Sequence, residues 1–168
     1  MKLEWIFAFV LGITMFPTAC ANVQTYETDL GDVSIDVLHT LYPNDMSSGT
    51  TLNLAKPGTQ KPLFVILLQD TWGEDLETYA TGMVGEDEKY TEMTTDDGHR
   101  MLFYTIDAGQ NRKGEMIYRY YAFIDHLSDK EVVIEIFGPS ETTLDGEVIA
   151  VFDEDVFQNI CRSFAFVS

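Results

Sequence analysis

The sequence predicts an α+β fold, an antiparallel β-sheet flanked by two main helices. Three observations predict it. Most of the chain reads as short runs rich in Ile, Val, Phe and Tyr, divided by turn-forming residues. Two segments, near 74–86 and 153–163, change to the period of an amphipathic helix. The longest β-prone runs follow one another through short polar turns, which makes an antiparallel meander. One domain is the default for 168 residues. With 45% hydrophobic and 12% aromatic residues, the chain can build a core without a metal or a disulfide.

The elements follow in order. Runs 25–30 and 33–38 are separated by Gly31-Asp32 and read as a hairpin. Residues 41–49 carry Pro, Asn, Asp, Ser and Gly and read as a loop. Run 50–55 alternates weakly as a strand and is broken by Lys56-Pro57-Gly58. Six consecutive apolar residues, 63–68, read as a strand buried on both faces. Leu76, Tyr79, Ala80 and Met83 then fall on one face of a helix. Thr71 and Glu74 have capping-box spacing at its start, and Glu74, Asp75 and Glu77 suit the positive end of the helix dipole. Gly82 and Gly85 weaken its last turn, so it ends near Glu86.

Run 90–95 adds a strand before the Asp97-Gly98 turn. Strands 99–107, 115–125 and 130–137 form the meander through turns 108–114 and 126–129, and Gly138-Pro139-Ser140 ends it. Residues 148–152 suit helix and strand equally. Asp153 caps the second helix, with Glu154 and Asp155 in its first turn. Phe157, Ile160, Cys161 and Phe164 form its apolar face, and 164–167 is a short tail suited to a final edge strand.

Residues 1–21 read as an export address, which leaves 25–168 as the globular domain. Trp5 to Phe16 has the length of a signal-peptide apolar region. Ala19-Cys20-Ala21 offers small residues for cleavage after Ala21. Pro17-Thr18-Ala19-Cys20 resembles a lipobox, with cleavage before Cys20 and Cys20 as the candidate lipidation site. Thr18 and Ala19 fit that motif, and Pro17 departs from it. An uncleaved anchor is the third reading, since the uncharged stretch 5–21 is at the lower limit for a span. All three place the domain outside the cytoplasm, in the cell envelope or secreted. A lipidated or uncleaved N-terminus would contact the membrane.

The formal charge of −18, from 28 acidic and 10 basic side chains, argues against nucleic-acid binding. Between Asp70 and Asp97 stand ten acids and one base, Lys89. This reads as a solvated acidic surface, with cation binding by carboxylates of several loops as the alternative. No EF-hand spacing, Gly-x-Ser-x-Gly, Gly-x-Gly-x-x-Gly or P-loop motif occurs. His39, His99 and His126 have no metal-ligand spacing, so no metal, cofactor or catalytic residue is expected. Ser140 reads as a turn serine and Cys161 as a buried thiol.

One cluster stands out as a candidate binding surface: Tyr118, Arg119, Tyr120 and Tyr121, with Tyr104 on the neighbouring strand. Tyrosine offers apolar area and a polar tip, and Arg119 shares the face of Tyr121 and suits an anionic group. Cross-strand core packing is the competing explanation.

The motif Phe157-x-x-Ile160-x-x-Ser163-Phe164-x-Phe166, the 63–68 strand, and the Leu76-Glu77-Thr78-Tyr79-Ala80 helix after it resemble the Mog1/PsbP-like group, including exported lipoproteins of the DcrB and LpqN type. The resemblance covers roughly residues 26–167. It implies an α/β/α sandwich around an antiparallel sheet and a non-enzymatic binding or assembly role, and it transfers no site residue. The expected function is a non-catalytic extracytoplasmic binding or assembly module with a protein partner at the cell envelope. The alternatives are a calcium- or other cation-binding acidic surface protein and an enzyme of unrecognised type.

Overall fold

The computed structural model describes residues 22–37, 40–125 and 131–167. The expected export segment with Cys20, the turn 126–129, and His39 and His126 lie outside them. Among the described residues the elements are β1 (Val23–Tyr26), β2 (Val33–Asp36), β3 (Tyr42–Pro43), β4 (Thr51–Ala55), β5 (Pro62–Asp70), α1 (Leu76–Val84), β6 (Tyr90–Thr94), β7 (Arg100–Gln110), β8 (Met116–Asp125), β9 (Val132–Pro139), β10 (Glu141–Leu144), β11 (Glu147–Val151), α2 (Glu154–Arg162) and β12 (Ala165–Phe166). The fold is α+β. A seven-stranded antiparallel sheet runs in the order β3-β4-β5-β9-β8-β7-β6.

The two faces of this sheet are covered unequally. On one face, α2 and the small β1-β2-β12 sheet bury Phe64, Ile66, Phe103, Tyr120, Ile134 and Ile136 against Ile35, Phe157, Ile160 and Phe164. On the other, α1 alone packs on β7 and β8, placing Leu76 and Ala80 over Leu102, Tyr104, Phe123 and Val133. The meander strands therefore alternate between two cores. In β8, Tyr120, Ala122 and Ile124 enter the first and Phe123 the second.

Several boundaries differ from the sequence expectation for local reasons. The first hairpin strand is Val23–Tyr26 rather than 25–30, because residues 27–32 form a turn in which Gly31 N–H donates to Thr28 O at 3.2 Å. The loop expected at 41–49 includes strand β3, paired with β4. In β5 only one face is fully buried. Val65 and Leu67 are half-exposed because α1 lies over β7 and β8 instead. The cap of α1 is Asp75, whose Oδ1 accepts from Thr78 N–H at 2.9 Å. Thr71 and Glu74 close a backbone turn at 3.1 Å and form no capping box. The buried stripe of α1 runs through Leu76 and Ala80 with Tyr79 and Val84 beside it, so Met83 turns outward and is 53% exposed.

After β9 the chain forms a hairpin, β10–β11, in which 148–151 is extended. Asp145 (φ 52°) and Gly146 (φ 87°) make its two-residue connection, the left-handed turn that matches strand twist. Ser140, between β9 and β10, fixes the departure. Its N–H donates to Tyr118 O at 2.8 Å, and its Oγ accepts from Tyr118 N–H at 2.9 Å. Asp153 caps α2 through Val156 N–H at 2.8 Å, and β12 is the expected final edge strand, on β2.

Candidate binding cleft

Period-two alternation along β8 places Arg119, Tyr121 and Phe123 on the α1 side of the sheet. Register brings Phe137 of β9 opposite Tyr121, Val65 of β5 opposite Phe137, and Pro139 opposite Arg119. The rings of Phe123 and Tyr121 stack at 6.3 Å with planes 4° apart, and those of Tyr121 and Phe137 at 5.7 Å and 22°. The three rings thus form one contiguous row on this face, two along β8 and the third beside them on β9. Helix α1 closes over Phe123 and stops short of the other two, which stay half-exposed.

The uncovered end of the row is the floor of a cleft of about 380 Å³, walled by Lys61, Val65, Arg119 and Thr142. Arg119 and Lys61 are exposed, and neither has an ion pair or side-chain hydrogen bond among the described residues. Three of the other described cations are engaged, whereas Lys89, Arg112 and Lys113 are, like these two, without an ion pair or side-chain hydrogen bond among the described residues. Arg100 pairs with Glu77 at 2.6 Å and Glu92 at 2.9 Å, Arg162 pairs with Asp96 at 3.2 Å, and Lys56 Nζ donates to Ile149 O at 2.6 Å. Glu141, the carboxylate at the lip, accepts from Asn111 Nδ2 at 3.1 Å. The hydroxyl of Thr142 is buried and has no hydrogen-bond partner.

One row further along the same face sits Glu135, paired in register with Phe123 and Leu67. It is only 2% exposed, and its Oε2 has no partner. Burial pushes its carboxyl up to about 7. Its charge in turn helps, after burial, to raise the hydroxyl of Tyr79 on α1.

The sequence cluster divides across the sheet. Arg119 and Tyr121 meet in the cleft. Tyr118 faces a cavity of about 520 Å³ on the opposite side, with Glu115, Glu141, Asp153 and Glu154 around it. Tyr120 is a core residue between Phe103 and Phe157, with ring centroids at 6.0 and 5.1 Å. Tyr104 is buried against Phe123 beneath α1. Lys61, Phe137, Thr142 and Glu135 were not singled out by sequence reading.

Chemically, the cleft can stack a flat ring and hold a negative charge. Its walls carry no histidine, cysteine or serine among the described residues. His99 is tied into a turn, with Nδ1 at 2.8 Å from Asp125 O and Nε2 at 3.1 Å from Asp97. Cys161 is fully buried, which pushes its thiol ionisation strongly upward. Among the described residues, no three His, Cys, Asp or Glu side chains are grouped to hold a metal ion. Nor is any helix long and apolar enough to cross a membrane.

No protein-family model matches the chain, and no curated protein sequence does. Among solved structures it is similar to the Saccharomyces cerevisiae Ran-binding protein Mog1p, with TM-score 0.48 and 13% identity over 88% of this chain and 97% of that one. It is also similar to a point mutant of protein Mog1, with TM-score 0.49 and 12% identity over 88% of this chain and 97% of that one. Both belong to the Mog1 side of the group that the sequence resembles.

Proposed function

We propose that the chain is a non-catalytic binding module that works outside the cytoplasm, and that the aromatic cleft is its binding site. One observation carries the reading. Two cations with no ion pair among the described residues flank a partly exposed aromatic floor in a chain of formal charge −18. An antiparallel sheet face left to solvent is ordinarily polar. Here it carries stacked rings instead, and exposed rings beside arginine are the usual composition of recognition surfaces. The export address expected at residues 1–21 supports a module held at the cell envelope by a lipid on Cys20 or secreted after cleavage behind Ala21.

The test is photocrosslinking in intact cells that make the full chain, with benzoylphenylalanine at Tyr121 and, as control, at Val148, which is 47% exposed on β11. A discrete adduct at Tyr121 and none at Val148 is expected, with the Tyr121 adduct lost when Arg119→Glu is added. Equal labelling at both positions, or none at Tyr121, would remove the cleft from consideration. Intact mass of the same material tests the address. A chain starting at Cys20 with acyl groups, or at Asn22, is expected, and a cytoplasmic chain retaining Met1 would contradict export.

A further inference from the structure

We propose that the cleft takes a small planar anion: an aromatic ring bearing a carboxylate or sulfonate, with the ring on Tyr121 and Phe137 and the anionic group at Arg119 and Lys61. This rests on reading the cleft as the binding site and names the class of ligand.

The aromatic ring follows from the floor. Tyr121 and Phe137 lie within 22° of parallel at 5.7 Å, and Phe123 continues the row within 4°. A ligand ring packed against these rings gains an aromatic contact, offset or edge-to-face, that a saturated ring cannot make. The sign of the charge follows from the walls. A guanidinium and an ammonium stand there without partners, while the one carboxylate at the lip is engaged by Asn111. Arginine presents a planar fork that suits a carboxylate in two-point contact, and lysine adds a point charge.

Size follows from the volume. About 380 Å³ lies near the lower end of ligand pockets and suits one fused or two linked rings. A long polyanion would meet the field of 28 acidic side chains, whereas a single anion needs only the local cations. The cavity around Tyr118 has the opposite character: beside the shared Glu141 it carries Glu115, Asp153 and Glu154 and no lysine or arginine among its described lining, and it would repel the same ligand.

The experiment is calorimetric titration of the purified chain with four probes: naphthoate, neutral naphthamide, cationic naphthylmethylammonium, and cyclohexanecarboxylate, which keeps the charge and loses the plane. Naphthoate is expected to bind at least about tenfold tighter than naphthamide and the cationic probe, the factor one charge-assisted contact supplies, and several-fold tighter than cyclohexanecarboxylate, which keeps that contact and loses the aromatic one. Arg119→Gln should erase its advantage over naphthamide. Tyr121→Leu should erase its advantage over cyclohexanecarboxylate. Arg119 is exposed, and its variant's melting curve serves as the folding control. Naphthamide or the cationic probe binding as tightly as naphthoate would overturn the ligand class and leave the cleft as a binding site. So would the absence of any binding alongside an intact Tyr121 crosslink in cells. Naphthoate binding that ignores Arg119→Gln would overturn the placement of the anion.

Discussion

Glu135 allows a quantitative test of how the α1 side of the sheet is packed. Its carboxyl sits under α1 with Oε2 unpartnered, and burial holds its ionisation at about 7 against an ordinary 4.5. The native state therefore binds a proton more readily than the unfolded chain. Between those two values the native state holds more protons, so stability falls as pH rises. Below about 4.5 both states are protonated and nothing is lost. Above about 7 the full cost of burying the charge is present. The interval corresponds to roughly 3 kcal/mol at about 1.4 kcal/mol per pH unit. Tyr79, which faces it, stays neutral throughout, because burial raises its own ionisation further.

The perturbation is Glu135→Gln, which keeps the shape and removes the titration. A buried amide without a partner shifts the whole stability curve by a constant, so the informative quantity is the change of the difference with pH. Urea unfolding of both proteins from pH 4.5 to 8 should give a variant-minus-parent difference that grows by roughly 3 kcal/mol in favour of the variant, at unchanged m-value. Parallel curves over that range would refute the buried, unpartnered placement of Glu135.

Two further predictions concern the scaffold. A Cβ added at Gly138 would lie 2.8 Å from Leu63 O and 3.1 Å from a Phe157 ring carbon, so Gly138→Ala should cost about 1–3 kcal/mol, read as a lower urea midpoint. Trp72 has φ 50° beside Gly73 at 83°, in a turn closed by Glu74 N–H on Thr71 O, and is 88% exposed. Trp72→Asn should therefore raise stability by about 1 kcal/mol, and a lower melting temperature would mean that the indole is packed.

Local chemistry was what the sequence displayed most clearly. Asp153 beside two acids and an apolar 3.6-residue stripe marked α2 correctly, because a cap and a stripe are both short-range signals. The β10–β11 hairpin had an equally short signal, Asp145-Gly146, but its strands Glu-Thr-Thr-Leu and Glu-Val-Ile-Ala-Val alternate too weakly to draw attention. The cleft was half legible. Period two puts Arg119 and Tyr121 on one face from β8 alone. Phe137 and Val65 join them only through the register of β8 on the consecutive β9 and of β9 on the distant β5, which alternation on any one strand does not specify. Glu135 was hidden among 28 acids, although its place between Val133 and Phe137, in a run from Val132 to Phe137 that is otherwise apolar at every position, already assigned it to a packed face.

The cleft exists because the two sheet faces are closed by elements of different size. A nine-residue helix is about 13 Å long. Seven strands at about 4.8 Å spacing span roughly 29 Å, so α1 covers less than half of its face. The opposite face needs no such economy, because α2 and a three-stranded sheet share it. Solubility alone would favour polar residues on the part α1 leaves bare, as β6 does with Glu92 and Thr94 at the far edge. Val65, Leu67, Tyr121 and Phe137 stand there instead, each half-exposed, with Arg119 and Lys61 beside them. Leaving that apolar area in water forfeits about 25 cal/mol for every Å² not buried. A ligand stacked on the rings would recover part of that loss on binding, and the unpaired guanidinium and ammonium would determine which ligands do so.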